Sequence, residues 1–381
     1  MPYLYSKSKD DCCGCSACAF SCPKNAIKME EDEKGFFYPI VDSNKCIECK
    51  ICEKVCGFKE KRSIKNDDIK IYALKASDDI RENSTSGGAF TLLSDVVLEK
   101  EGIIYGVIMD ENLRARHIRA DDIEKRNLCR GSKYSQSDID SIYLSVRDDL
   151  KNGKLVMFTG TPCQVDGLSR FLGDFDKSNL ILIDIVCHGV ESPLLFRNYI
   201  KFLEKKRKKN ISQYFHRPKD YGWGHHEKII YSDNSFETRT RLSDIWRDIF
   251  YSSGGLRPSC FNCSYTNLKR PSDITIADFW GIDNIDPKFY DKKGVSLLIL
   301  NSKKGEEIFD SIKDKCVFKE KSIADAVKKN PNLQMPTPSK VSQEVFWDEF
   351  YKYGFEFIAK KYGGYTVINR IKRQVKNFIK R

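Results

Sequence analysis

The chain reads CCGCSACAFSCP over residues 12–23 and CIECKICEKVCG over residues 46–57. Each stretch carries the spacing C-x2-C-x2-C-x3-C. The first uses Cys12, Cys15, Cys18 and Cys22 and ends in Pro23. The second uses Cys46, Cys49, Cys52 and Cys56 and ends in Gly57. This is the spacing of bacterial two-cluster ferredoxins, in which three thiolates on a turn take one cube and the fourth reaches across to the other. The reading therefore assigns Cys12, Cys15, Cys18 and Cys56 to one 4Fe-4S cluster, and Cys46, Cys49, Cys52 and Cys22 to the second. Zinc is the alternative, but structural zinc takes paired C-x2-C hooks, not three cysteines in a row plus a fourth. The chemistry expected is one-electron transfer.

At 381 residues, the chain is too long to be a ferredoxin alone. Its 40% hydrophobic and 12% aromatic content supports a packed core. Residues 1–10 hold no apolar leader segment, and no apolar run approaches the ~18 residues of a membrane span. Ferredoxin-type ligands need free thiols, so a reducing, cytoplasmic location is expected. The net charge of +11 is concentrated at the end, where Lys360 to Arg381 hold eight Lys or Arg and no acid. A nucleic-acid binder would carry its charge on a folded face interleaved with aromatic residues, so that class is set aside. In the tail, Val367, Ile368, Ile371, Val375, Phe378 and Ile379 make an apolar stripe at helical spacing. Two readings stay open for it: peripheral contact with an anionic membrane, or docking on protein.

Residues 1–60 read as the ferredoxin domain and 61–70 as a charged linker. A larger domain follows, its first part at 71–153 and its second at 154–320, with a helical basic tail at 321–381. Strands are expected at 71–76, 103–109, 154–160, 179–187, 227–232, 273–279 and 294–301. Helices are expected at 89–101, 137–150, from Gln164, and at 193–209. The runs LVMF and LILIDIV suit strands buried on both faces of a parallel or mixed sheet. The fold class is thus α+β or α/β, with a small two-cluster domain before a mixed-sheet domain.

In such sheets ligands gather where strands end at their carboxyl edge. Cys163 follows strand 154–160, Cys187 ends strand 179–187, and Cys260 and Cys263 form a C-x2-C hook before strand 273–279. These four thiols are the candidate ligands of a third 4Fe-4S cluster. Buried structural cysteines or zinc are the alternatives. The loop at Ser86, Gly87 and Gly88 precedes a helix and suits a flavin pyrophosphate or an ordinary N-cap. Lys133 and Tyr134 suit a flavin ring or a turn. No GxGxxG follows a strand, which argues against a dinucleotide bound in Rossmann fashion. His188, beside Cys187, is the candidate catalytic proton donor, or a hydrogen-bond partner of a cluster sulfur.

The segments SGGAF (86–90), GSKYSQS (131–137), FTGTPCQVDGL (158–168), DIVCHGVESP (184–193), LRPSCFNCSY (256–265) and SDITIADFWGI (272–282) occur in one order. Together they resemble the coenzyme F-420 hydrogenase/dehydrogenase beta-subunit family, in its bacterial members with an amino-terminal two-cluster domain. The resemblance covers about residues 8–320. It implies FAD, a further 4Fe-4S cluster on Cys163, Cys187, Cys260 and Cys263, and flavin contacts at Ser86, Gly87, Gly88, Lys133 and Thr161. No residue matches a deazaflavin tail-binding motif. The function expected is an iron–sulfur flavoprotein oxidoreductase acting on a small-molecule or deazaflavin-like partner. The alternative is an electron-transfer subunit docked to a partner enzyme, in a setting such as polysaccharide synthesis. Cys13, Cys129 and Cys316 receive no role.

Overall fold

The structure is a computed structural model that describes residues 3–58 and 68–365. The apolar stripe from Val367 and linker residues 61–67 lie outside the described residues.

The amino-terminal module is built twice on one plan. Strands β1 (Ile27–Glu31) and β2 (Phe37–Val41) pair antiparallel between the motifs. In each motif the chain turns left-handed twice between cysteines, at Gly14 (φ 70°) and Ser16 (φ 63°), then at Glu48 (φ 52°) and Lys50 (φ 60°). A single helical turn then follows in each motif, Ala17–Phe20 in one and Ile51–Lys54 in the other. Glycine adopts such angles freely, whereas a side chain costs about 1–2 kcal/mol.

The large domain is organised on an eight-stranded sheet. Its strands are β3 (Lys70–Lys75), β4 (Ile103–Met109), β5 (Ala115–Ala120), β6 (Val156–Gly160), β7 (Leu180–Ile185), β11 (Ile274–Asp278), β12 (Ser296–Leu300) and β13 (Val317–Lys321). The order is β13-β3-β12-β11-β7-β6-β4-β5. The pairs β4–β6, β6–β7 and β7–β11 are parallel, while β5, β12 and β13 run antiparallel to their neighbours. Alternate residues enter opposite faces. Val156 and Phe158 pack with Val165 and Leu168 of helix Pro162–Leu172, while Met157 and Ile181 pack with Leu92, Leu93 and Val97 of helix Ala89–Glu99. Both faces are therefore covered, as the continuous apolar runs required.

A second sheet, β8 (Ile211–His216), β9 (Glu227–Tyr231) and β10 (Phe236–Thr238), shares a core with helices Pro193–Arg207, Ile245–Ser252, Gln343–Tyr353 and Phe355–Lys361. The sequence reading lacked β5, β8, β10 and β13. Each has at most one neighbour in the main sheet or belongs to the small one, and their sequences ARHIRA, ISQYFH, FET and VFKEK carry the polar residues that edge strands tolerate. The helix expected from 137 begins at Ile142 instead. Asp138 is held extended, its N–H donating to the Ala115 carbonyl and its carbonyl accepting from His117 N–H.

Candidate metal centres

The first cavity lies where the module meets the large domain, with Asp166, Gly167 and Tyr265 in its wall. Cys12, Cys15, Cys18 and Cys56 all line it, together with Cys13, Cys52 and Cys163. Burial, with the neighbouring Cys15, Cys12, Cys56 and Cys52 thiolates, pushes the Cys18 thiol well up. Burial also raises Cys12, against the lowering influence of the Arg257 guanidinium.

Arg257 explains how this cavity is seated on the large domain. Its side chain is fully buried, and its Nε donates to the Cys12 carbonyl at 2.7 Å. One terminal nitrogen donates to Phe37 O at 2.9 Å, the other to Gln136 Oε1 at 2.8 Å. The guanidinium also stacks over Tyr38, 4.2 Å from its centroid. Gln136 Nε2 in turn donates to the Cys13 carbonyl at 2.9 Å. Two bare backbones permit the approach. A Cβ on Gly14 would meet Gln136 Nε2 at 2.7 Å and Arg257 at 2.8 Å, and one on Gly167 would meet Cys15 Cβ at 2.8 Å. Gly57, which stands where the first motif has proline, is pressed against Tyr265 Oη and Asp166, and the Tyr265 hydroxyl donates to Asp166 at 2.8 Å.

The second cavity lies at the carboxyl edge of the sheet, and Cys163, Cys187, Cys260 and Cys263 line it together. Cys163 is set by the sequence Thr161-Pro162-Cys163-Gln164. Thr161 caps the helix, Pro162 takes its first position, and the Gln164 side chain returns to the Thr161 N–H at 3.1 Å. Cys187 follows β7. The hook is pinned by Arg257 before it and by buried Arg270 after it. Arg270 pairs with Asp184 at 3.0 Å and donates to the Tyr265 and Ile185 carbonyls at 2.7 and 2.8 Å. All four thiols are free of disulfides. Burial pushes Cys187 well up, Cys260 up to about 12 and Cys263 up to about 11. Such thiols ionise only against added positive charge. Cys163 goes the other way, lowered to about 7, first by a hydrogen bond from Cys13. Among the described residues no three His, Cys, Asp or Glu side chains converge on one point as ligands of a single ion. A lone zinc, about 2.3 Å from each sulfur, needs that convergence.

The remaining predicted residues divide. Cys46 and Cys49 are exposed at the outer end of the module. His188 lines the second cavity, and burial, with Lys340 nearby, lowers its imidazole to about 4, so it stands neutral near pH 7. The predicted flavin residues divide between the thiol cavity and the loops joined by the Ser132 N–H to Thr85 Oγ1 hydrogen bond. Thr161 lies at the thiol cavity, its Oγ1 3.2 Å from Cys163 Sγ. Gly87 is bare because it packs on the Leu74 carbonyl and Ser296, and its N–H is spent on Ser296 Oγ at 2.9 Å. Ser86 donates to the Val295 carbonyl at 3.0 Å. Gly88 starts the helix at φ 91°. Lys133 caps a helix end, donating to the Arg130 and Cys129 carbonyls at 2.8 and 3.1 Å. Tyr134 is stacked on His225 at 4.7 Å and meets Phe250 edge-on at 4.6 Å. In this structure these groups make contacts within the fold. Sequence reasoning missed Arg257, Gln136 and Cys13. The available signal was Arg257, three residues ahead of the hook, and a cysteine out of step with the spacing.

Residues 153–326 match the family model that describes the carboxyl-terminal region of the beta subunit of coenzyme F420 hydrogenase/dehydrogenase. Those residues are similar to that family. Residues 11–59 match a 4Fe-4S dicluster domain. The chain therefore carries a 4Fe-4S dicluster domain ahead of a region similar to that beta-subunit family. No curated protein matches it. A chain of the xenon-derivatised F420-reducing [NiFe] hydrogenase complex from Methanosarcina barkeri is 15% identical, over 74% of this chain and 92% of that one, with a TM-score of 0.47. No described helix is long and apolar enough to cross a membrane.

Proposed function

We propose that this chain is an electron-transfer subunit with three iron–sulfur centres, handing electrons between a protein or small-molecule redox partner at its exposed end and a partner enzyme at the carboxyl edge of its sheet. Cys46, Cys49, Cys52 and Cys22 would hold the outer 4Fe-4S cluster. Cys12, Cys15, Cys18 and Cys56 would hold the inner one, and Cys163, Cys187, Cys260 and Cys263 a third. Such clusters supply reversible one-electron reduction. The observation that carries the reading is that the four large-domain thiols share one cavity next to the cavity of the first motif. Arg257 and Gln136 tie the module to the large domain between the two cavities. His188 lines the cavity as a neutral imidazole and is not required as an acid.

The second reading is the flavin-dependent oxidoreductase. Its support is that Ser132 N–H donates to Thr85 Oγ1 at 3.2 Å, so the loops of Gly87 and Tyr134 meet at the carboxyl edge where cofactors bind. Against it stand the polar groups already spent within the protein. Anaerobic purification followed by acid release and chromatography separates the two. The electron-carrier reading expects full iron with no flavin retained or bound. One FAD per chain would overturn it in favour of the flavoprotein.

A further inference from the structure

A row of titratable side chains runs from the core to the surface away from the thiols. At its inner end His216, the last residue of β8, and Glu227, the first of β9, have fully buried side chains, with His216 Nδ1 2.8 Å from Glu227 Oε2. The other carboxylate oxygen, Oε1, lies 3.1 Å from His225 Nε2. His225 Nδ1 lies in turn 2.9 Å from the hydroxyl of Tyr251, a residue 40% exposed. Glu227, His225 and Tyr251 thus stand in the order of an orienting carboxylate, a base and an activated hydroxyl. Burial opposes ionisation of Glu227, but His216 and His225 hold its carboxyl down at about 2. Burial lowers the His225 imidazole, so it stands neutral near pH 7. A neutral imidazole beside a carboxylate carries its proton on the nitrogen that faces it, here Nε2. Nδ1 is then the acceptor, and the Tyr251 hydroxyl donates to it. The ring of His225 is held by Tyr134, stacked at 4.7 Å, and its carbonyl accepts from Arg247 at 3.1 Å. Lys340 holds the Tyr251 carbonyl at 2.9 Å.

This row meets the carboxyl edge of the main sheet. Arg217, next after His216, pairs with Asp278 at the end of β11, Nη2 to Oδ1 at 2.9 Å. The Tyr251 ring meets the His188 ring edge-on at 5.7 Å, and His188 follows Cys187.

We propose that Tyr251, His225 and Glu227 form a proton-transfer site for a quinone-type redox group met at the carboxyl edge, whose oxygens exchange one proton with each electron. This rests on the electron-carrier reading above. Iron–sulfur centres move single electrons, and a relay ending in a phenol moves single protons. A group that takes both in equal number is a quinone or its hydroquinone. In the oxidising direction the hydroquinone O–H breaks. Its proton passes to Tyr251 Oη as the Tyr251 proton passes to His225 Nδ1, and one electron goes to the large-domain centre. Glu227 stabilises the imidazolium, which then releases the proton to water. A second round yields the quinone, and a one-electron acceptor at the exposed motif removes the electrons. In the reducing direction each step runs backwards, a one-electron donor feeds the exposed motif, and Tyr251 protonates the quinone oxygen.

The test runs the reducing direction in the full chain, purified anaerobically as wild type, Tyr251→Phe and Glu227→Gln and reduced with dithionite. Stopped-flow absorbance follows reoxidation by a water-soluble naphthoquinone and by hexacyanoferrate(III), which takes an electron and no proton. Tyr251→Phe keeps the ring and its packing. It is expected to slow the naphthoquinone reaction about a hundredfold, the lower end of general acid–base catalysis, and to leave the hexacyanoferrate rate unchanged. The wild-type naphthoquinone reaction should slow in heavy water, and that of Tyr251→Phe should not. Glu227 is a positioning residue, so Glu227→Gln should also lose the heavy-water effect although Tyr251 is still present. A naphthoquinone rate equal in wild type and Tyr251→Phe, or equal slowing of both oxidants, overturns the proposal, whether or not Glu227→Gln folds. Reduced wild-type protein that reoxidises with neither oxidant would instead overturn the electron-carrier reading on which the proposal stands.

Discussion

The two cysteine motifs share their spacing and their left-handed turns, yet their surroundings are opposite. Around the first, Gly14, Ser16 and Ala17 are buried and the large domain presses in through Gln136, Arg257 and Gly167. Around the second, every residue from Ser43 to Ile51 is exposed. Backbone angles alone need no glycine here, since Glu48 adopts φ 52° where the first motif has Gly14 at φ 70°. What demands glycine at position 14 is the neighbour, not the turn. Spacing thus specifies what each motif binds, and packing specifies what it faces: one looks outward to solvent, the other inward to the large domain.

That contrast can be broken by substitution. The largest effect is expected from Gly14→Ala. Its methyl group would meet Gln136 and Arg257 at under 3 Å while the backbone holds φ 70°. Overpacking and strain together should cost roughly 2–4 kcal/mol. The matched change Glu48→Ala alters only an exposed side chain and should stay within about 0.5 kcal/mol. Anaerobic thermal melting of both variants decides the matter, and equal losses would mean that the turn, not the packing, selects glycine.

An intermediate effect is expected from Gly57→Pro, which restores the residue that ends the first motif. Because position 57 is pressed against Tyr265 and Asp166, the change should destabilise by about 1–3 kcal/mol, not stabilise. Iron retention on mild heating should fall in step. A more stable Gly57→Pro protein would show that the module is not seated on the hook as described.

The smallest effect is expected from Glu48→Gly. Relief of a left-handed side chain worth about 1–2 kcal/mol is partly offset by the extra freedom of glycine in the unfolded chain. A net gain of up to about 1 kcal/mol should appear as a slightly higher melting temperature. A loss of stability would mean that the Glu48 side chain makes a contact the exposed setting does not suggest.

Much of this was legible in the sequence because its physics is local. Spacing placed the motif thiols, apolar runs placed β4, β6, β7 and β12, and strand ends placed Cys163 and Cys187. What escaped depends on contacts far apart in the chain. Arg257 reaches Cys12 across 245 residues, and Gln136 reaches Cys13 across 123. The loop at Ser86–Gly88 suits two demands at once. A bare glycine before a helix suits a phosphate, but the same bareness lets Gly87 lie against the backbone of neighbouring strands. A sequence cannot tell those two demands apart. The edge strands β5 and β13 escaped because half-exposed polar residues carry no periodic apolar signal.

The central claim is that twelve cysteines in two domains hold three centres with no shared ligand. The most direct measurement is iron and acid-labile sulfide per chain, with electron paramagnetic resonance of the reduced protein, in wild type and Cys260→Ser. The account predicts about twelve irons in wild type and about eight in the variant, at four per cube, with the coupled signal of the two module clusters intact. About eight irons in wild type, stoichiometric zinc in the large domain, or loss of the coupled signal from a folded Cys260→Ser protein would contradict it.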